Sequence, residues 1–191
     1  MINLNHAVKF QHLFWQDQLK DARVIVDATA GNGHDLLYLA THCEGGTSLW
    51  GLDLQSEALQ KSRELLDAQC ARTDISITLL QGSHDVLLEQ TEWTKGIDLL
   101  IFNLGYLPGG DHACMTRSDT TIKALEQGLN ILSDHGLITV VAYPGTAEGQ
   151  AEMEAVTAYL RSIPQKQFDV STWQPLNQAN HPPILFFIKG R

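Results

Sequence analysis

Residues 23–35 read RVIVDATAGNGHD: a short β-branched run, an acidic residue, a turn of small residues and the opening of a helix. Valine and isoleucine favour a pleated, half-buried surface. Gly31 and Gly33 remove the Cβ where a chain must turn sharply or a ligand must lie against backbone. The amides at the start of the following helix suit an anionic group. The segment therefore predicts a strand, a binding turn and a helix, the first unit of an α/β sheet.

Outward from this unit, apolar β-rich runs alternate with helical patterns along nearly the whole chain, the mark of βαβ units. Strands are expected at Arg23–Ala28, Ser48–Leu54, Ile75–Gln81, Asp98–Asn103, Leu137–Tyr143, Phe168–Thr172 and Ile184–Lys189. Helices are expected near Asp35–Cys43, Ser56–Ala71, Ser118–Ser133 and Glu148–Ile163. The runs VIV, LLIF and ITVV are solid rather than alternating, as in strands covered on both faces. Leu4 to Leu19 reads as an extra amphipathic helix, with Val8, Leu13, Phe14 and Trp15 available to cap the sheet or cover a partner subunit. The last two strands flank PLNQANHPP, too long for a tight hairpin turn. The expectation is one α/β domain over residues 1–191, with 1–20 as a helical extension. Its sheet is seven-stranded and mainly parallel, with helices on both faces, a Rossmann-like architecture found in class I methyltransferases.

The glycine turn allows two ligand classes. A dinucleotide site requires G-x-G-x-x-G beneath a pyrophosphate, but Leu36 stands where the third glycine belongs, and Asp27 would face the phosphates. An acid at this strand end suits a ligand with a cationic end, such as the amino group of S-adenosylmethionine. A glycine turn without any ligand is the remaining alternative. Asp53 ends the second strand 26 residues after Asp27, where a carboxylate can accept both ribose hydroxyls; alone it would read as a cap for the helix from Ser56. After the third strand, Ser83 or His84 can contact an adenine, or Ser83 and Asp85 can cap a following helix.

The fourth strand runs into Asn103-Leu104-Gly105-Tyr106-Leu107-Pro108-Gly109-Gly110-Asp111, at the strand-end crevice where open α/β sheets hold ligands. Asn103–Tyr106 resembles the Asn-Pro-Pro-Tyr motif of amino-group methyltransferases, with Leu-Gly in place of Pro-Pro. In that motif an amide oxygen and a backbone carbonyl accept hydrogen bonds from the target nitrogen, and the aromatic ring stacks on the target. A tight turn with Tyr106 packed on the loop is the structural alternative. An amine must be neutral to attack, so Asp111 or His112 is a candidate proton acceptor, as is solvent. Asp111 after two glycines is also an ordinary turn residue. The loops Tyr143-Pro144-Gly145 and Asn180-His181-Pro182-Pro183 are placed to line the same opening.

DATAGNGHD, GLDLQ, GSHD, FNLGYLPGGD, TTIKAL, YPGTAEG and NHPPILFFIK follow one another over residues 27–189. Together they closely resemble the rRNA methylase family of class I methyltransferases, whose members are assigned as tRNA 5-aminomethyl-2-thiouridine methyltransferases. The resemblance implies S-adenosylmethionine as cofactor, a tRNA wobble uridine bearing an aminomethyl group as substrate, and a homodimer. By position it places Asp27, Thr29, Gly31, Asn32, Gly33, Asp35, Asp53, Gln55, Ser83, His84 and Asn103 around the cofactor. Asn103, Tyr106 and Asp111 fall at the reacting end, with Pro108 and Gly110 beside them. One departure is Thr146, where the family pattern has a histidine after Tyr-Pro-Gly.

Bulk properties narrow the setting. Cys43, Cys70 and Cys114 are widely spaced and form no CxxC pair, so reduced thiols, no metal site and a cytoplasmic location are expected. No secretory pattern opens the chain, and no run of eighteen apolar residues occurs. The net charge of −9 opposes broad phosphate binding. It keeps open methylation of rRNA or of a small-molecule amine, and a non-catalytic cofactor-binding module. A nicotinamide-dependent oxidoreductase is a further alternative, disfavoured by the missing glycine.

Overall fold

In the computed structural model, residues 7–105 and 115–191 are described. In chain order the elements are α1 (Ala7–Gln18), β1 (Val24–Asp27), α2 (His34–His42), β2 (Ser48–Asp53), α3 (Ser56–Gln69), β3 (Ser76–Gln81) and α4 (His84–Gln90). They continue with β4 (Ile97–Asn103), α5 (Ser118–Ile131), β5 (Leu132–Ala142), α6 (Ala147–Ser162), β6 (Phe168–Trp173) and β7 (Ile184–Gly190).

Successive side chains of a strand point to opposite faces, and the solid apolar runs feed two cores at once. Ile25, Leu99, Ile101, Val141, Leu185 and Phe187 face one cluster, which Trp15 of α1, Leu36 and Leu39 of α2 and Leu59 and Leu66 of α3 complete. Their neighbours Val26, Leu100, Phe102, Val140, Phe186 and Ile188 face the other, closed by Leu88 of α4, Leu125 of α5 and Val156 and Leu160 of α6. Each fully buried side chain of this size stabilises the fold by about 1.5–3 kcal/mol relative to exposure.

The strands lie in the order β3-β2-β1-β4-β5-β7-β6. All neighbouring pairs are parallel except those made by β7, which runs antiparallel to β5 and β6. β1 pairs with both β2 and β4, so the winding direction reverses there. The loops after β1 and β4 diverge and open a crevice at the carboxyl ends of the strands. This is the class I methyltransferase architecture.

Two expectations need correction. β5 begins at Leu132, five residues before Leu137, and takes in Ser133, expected to end the preceding helix, together with Asp134-His135-Gly136, expected as a connection. Its extension depends on a distant partner. Ser133 Oγ donates to Asp98 Oδ1 at 2.6 Å, Ile97 pairs with Leu132, and the register shifts between Ile97 and Leu99. A seven-residue helix, α4, follows Ser83 and is too short to show a periodic stripe; Ser83 does not cap it but donates its hydroxyl to Asp85. The buried stripe of α1 is Ala7, Gln11 and Trp15, continued by Leu19, so Trp15 caps the sheet as expected; Phe14 packs on Phe187 of β7 while remaining partly exposed, Leu13 is exposed, and Val8 turns toward the crevice. Among the described residues, no helix is long and apolar enough to cross a membrane.

Candidate active site

The turn after β1 is stitched to both neighbouring strands. Ala28 N–H donates to the Ile101 carbonyl of β4 and Ala30 N–H to the Leu52 carbonyl of β2, each at 2.9 Å. Asp53 braces the turn from β2: Oδ2 accepts from Gly31 N–H at 2.8 Å and Oδ1 from Gln55 N–H at 2.9 Å. Each oxygen keeps acceptor capacity for a ligand hydroxyl, because a carboxylate offers about four lone-pair sites. Gly31 and Gly33 take left-handed φ values of 53° and 82°. Gly33, expected at the cofactor, does not line the cleft. It is glycine for another reason: a Cβ there would lie 2.7 Å from Ser62 Cα, where α3 crosses the turn.

Beyond the turn lies a cleft of about 980 Å³, at the upper end of the roughly 300–1,000 Å³ of small-molecule sites. Every other predicted cofactor residue lines it: Asp27, Thr29, Gly31, Asn32, Asp35, Asp53, Gln55, Ser83, His84 and Asn103. Asp27 is fully buried at the end of β1. Its Oδ1 accepts from Thr29 N–H at 3.1 Å, and its Oδ2 has no partner among the described residues. Burial pushes its carboxyl well above the ordinary range, the nearby Asp35 and Asp53 charges add to this, and the Thr29 amide opposes it. The Asp35 and Asp53 carboxylates would repel a pyrophosphate and attract a cation, and a cation beside Asp27 would favour the ionised form of that buried acid. The spare buried acceptor on Asp27 calls for a donor, and an ammonium or sulfonium ligand with ribose hydroxyls fits both demands. S-adenosylmethionine is such a ligand.

Two further polar atoms, Asn32 Oδ1 and His84 Nε2, are buried without partners among the described residues. Burial pushes the His84 imidazole down in pKa, which favours the neutral ring, and it meets Phe102 edge-on at 5.7 Å.

At the open end, the structure joins β1 to β4. Thr29 Oγ1 accepts from Asn103 N–H at 2.7 Å. The Asn103 side chain donates from Nδ2 to Asp35 Oδ2 at 2.9 Å, while its Oδ1 is buried with no partner among the described residues. An amide oxygen held in this way can accept one N–H of an amine and leave the nitrogen lone pair free. Gly105, at φ 132°, exchanges two hydrogen bonds with Thr116: its N–H donates to Oγ1 at 2.8 Å and its carbonyl accepts from Thr116 N–H at 2.9 Å. The Thr116 hydroxyl donates in turn to buried Glu152 at 2.6 Å, and Thr121 Oγ1 donates to the other oxygen at 2.8 Å. Burial pushes the Glu152 carboxyl up, against these two hydroxyls. Tyr106, Pro108, Gly110, Asp111 and His112 lie outside the described residues.

Tyr143, Gly145, His181 and Pro183 line the opening, so both later loops reach it. Burial and then the Asp35 charge push the Tyr143 hydroxyl up to about 12. Thr146 also lines the cleft and caps α6 by accepting from Gly149 N–H at 3.1 Å, work a histidine would not do in the same way. The sequence reading missed His12, Thr116 and Glu152. The first two carry no motif, and the third sits in a helix whose outward face is acidic.

Residues 49–189 match the family described as "Putative rRNA methylase". The chain belongs to this family. A tRNA (mnm5s2U34)-methyltransferase of Arabidopsis thaliana, chloroplastic, is 31% identical over 189 residues, covering 96% of this chain and 69% of its own. Among solved structures, a "putative rRNA-methylase" from Clostridium thermocellum is 33% identical with a TM-score of 0.91, and both chains are fully covered. A "putative methyltransferase" from Streptococcus mutans, solved in complex with SAH, is 30% identical with a TM-score of 0.84, again over the whole of both chains. For this member of the rRNA methylase family, the match of residues 49–189 begins only at β2, so the Asp27 turn and α1 lie before it.

Proposed function

We propose that this chain, an S-adenosylmethionine-dependent methyltransferase, methylates a primary amine: the aminomethyl group of 5-aminomethyl-(2-thio)uridine at the tRNA wobble position. One observation carries the reading. Asn103, which lines the cleft, spends its amide nitrogen on Asp35 and keeps its Oδ1 buried without a partner among the described residues, an arrangement that suits a nitrogen bearing a hydrogen. The activity named for the Arabidopsis relative supports the same acceptor.

In this reading Asp27, Gly31, Asn32, Asp53, Gln55 and His84 would hold the cofactor, Asp27 as an acceptor for its ammonium and Asp53 as an acceptor for its ribose hydroxyls. When bound, the cofactor supplies a methyl group on a sulfonium, which leaves as a neutral thioether. Asn103 Oδ1 accepts one amine hydrogen and turns the lone pair toward the methyl carbon, so the residue acts by positioning. The proton lost from nitrogen passes to solvent or to Asp111 or His112. Tyr106 stacks on the uracil.

The net charge of −9 favours a second reading, in which the acceptor is a free amine that needs no phosphate contacts; rRNA remains the other RNA acceptor to test. Parallel incubations of labelled cofactor with total tRNA, with rRNA and with small primary amines, followed by mass spectrometry of the products, separate them. Label in the methylaminomethyl nucleoside is expected. Label in rRNA or a small amine, with tRNA untouched, would reject the wobble-uridine substrate.

A further inference from the structure

We infer that the N-terminal helix belongs to the catalytic apparatus: His12, acting through Asp35, is a positioning residue that holds the Asn103 amide with its oxygen toward the acceptor. The inference rests on the role given to Asn103 above.

The geometry forms a chain of three side chains. His12 Nε2 lies 2.7 Å from Asp35 Oδ1, and Asn103 Nδ2 lies 2.9 Å from Asp35 Oδ2. A carboxylate accepts and does not donate, so His12 must present an N–H to one oxygen and Asn103 its NH2 to the other. An asparagine side chain can turn end for end at little intrinsic cost, and the turned form would aim its donors at the amine. Asp35 forbids that form because two acceptors would then face each other. His12 in turn fixes the carboxylate: with Oδ1 held, Oδ2 has one direction left, toward Asn103.

His12 is itself rigid. Its ring stacks on Tyr38 with centroids 3.9 Å apart and planes 15° from parallel, and Trp15 lies against it at 4.8 Å. The helix beneath is anchored at two further points. Trp15 Nε1 donates to Thr139 Oγ1 of β5 at 3.2 Å, and Gln18 Nε2 donates to the Asp98 carbonyl at 2.9 Å. Both His12 and Asp35 side chains are largely shielded, at 20% and 12% exposure, so water competes weakly for these bonds. A helix lying before the segment matched to the family thereby sets the orientation of a side chain at the end of β4.

Two variants separate positioning from packing. His12→Phe keeps the stack and removes the donor; His12→Gln removes the ring and returns a donor near the Nε2 position. With the full chain, 15N NMR of the Asn103 side-chain NH2, assigned by its loss in Asn103→Ala, reads the orientation without any acceptor or turnover. We expect the signal to shift and exchange faster in His12→Phe and to return toward the wild-type position in His12→Gln. On whichever RNA or amine the wild type methylates, His12→Phe should lower kcat at least tenfold. The S-adenosylmethionine Kd, by calorimetry, should stay within about twofold. In an Asn103→Ala background the same substitution should have no further effect. An unchanged Asn103 signal in His12→Phe would overturn the inference, as would a Kd that weakens in step with kcat. Failure of the wild type to methylate tRNA would instead strike the substrate assignment and leave the NMR result standing.

Discussion

Asp27→Asn is the substitution whose two effects should run in opposite directions. In the free protein Asp27 is wholly buried, only one of its oxygens has a hydrogen-bond partner among the described residues, and two further carboxylates stand nearby. A buried polar group without a partner costs about 1–3 kcal/mol, more if charged. Asparagine retains the acceptor for Thr29 N–H and removes the charge. For a chain of this size each kcal/mol is worth roughly 2–4 °C, so the ligand-free variant should melt several degrees higher at pH 8. The sign of the pH dependence follows from the same burial. The folded state keeps a proton that the unfolded chain gives up near the ordinary carboxylate range. Wild-type stability is therefore fullest below that range and is lost as pH rises toward the elevated folded value. Glu152, also pushed up by burial, contributes with the same sign. The variant should show the decline in weaker form. Cofactor binding should move the other way. A hydrogen bond to a charged group is worth about 1.5–3 kcal/mol, so Kd for S-adenosylmethionine should rise between about ten- and a hundredfold. In wild type, binding should release a proton from Asp27, making the calorimetric enthalpy depend on the ionisation heat of the buffer; in the variant that dependence should shrink. A variant that melts lower and binds the cofactor as tightly as wild type would refute the reasoning.

Three further substitutions test other parts of the site. Asn103→Ala should leave the calorimetric Kd for S-adenosylmethionine within about twofold and lower kcat roughly a hundredfold, the scale of losing one preorganised polar contact to the reacting group. Gly33→Ala should cost about 1–3 kcal/mol, read by chemical denaturation, because a Cβ meets Ser62 Cα at 2.7 Å and φ is 82°. Glu152→Ala strands the hydroxyls of Thr116 and Thr121 and should cost about 1–3 kcal/mol; since Thr116 clamps Gly105, kcat should fall while the cofactor Kd holds.

The fold was legible because its determinants are local. Runs such as VIV and LLIF are apolar at every position, and only a strand covered on both faces uses such a run efficiently. The acid-then-glycine turn after β1 and the acid ending β2 are equally local, which is why ten of the eleven expected cofactor residues line one cleft. Gly33 shows the limit of that reasoning: it does not line the cleft, and its lack of a Cβ answers to Ser62 of α3, 29 positions onward in the chain. β5 shows the same limit, since Ser133–Gly136 becomes strand only against Ile97 and Asp98.

What the sequence alone determined is therefore the class of fold, the cofactor chemistry and the amide at the end of β4. Tertiary structure decided which end of that amide is engaged and which is left without a partner among the described residues, through an aspartate 68 positions earlier that a histidine from α1 also holds. Side-chain orientation is a property of distant partners, and no local pattern of residues encodes a hydrogen bond between a terminal helix and the far end of a central strand.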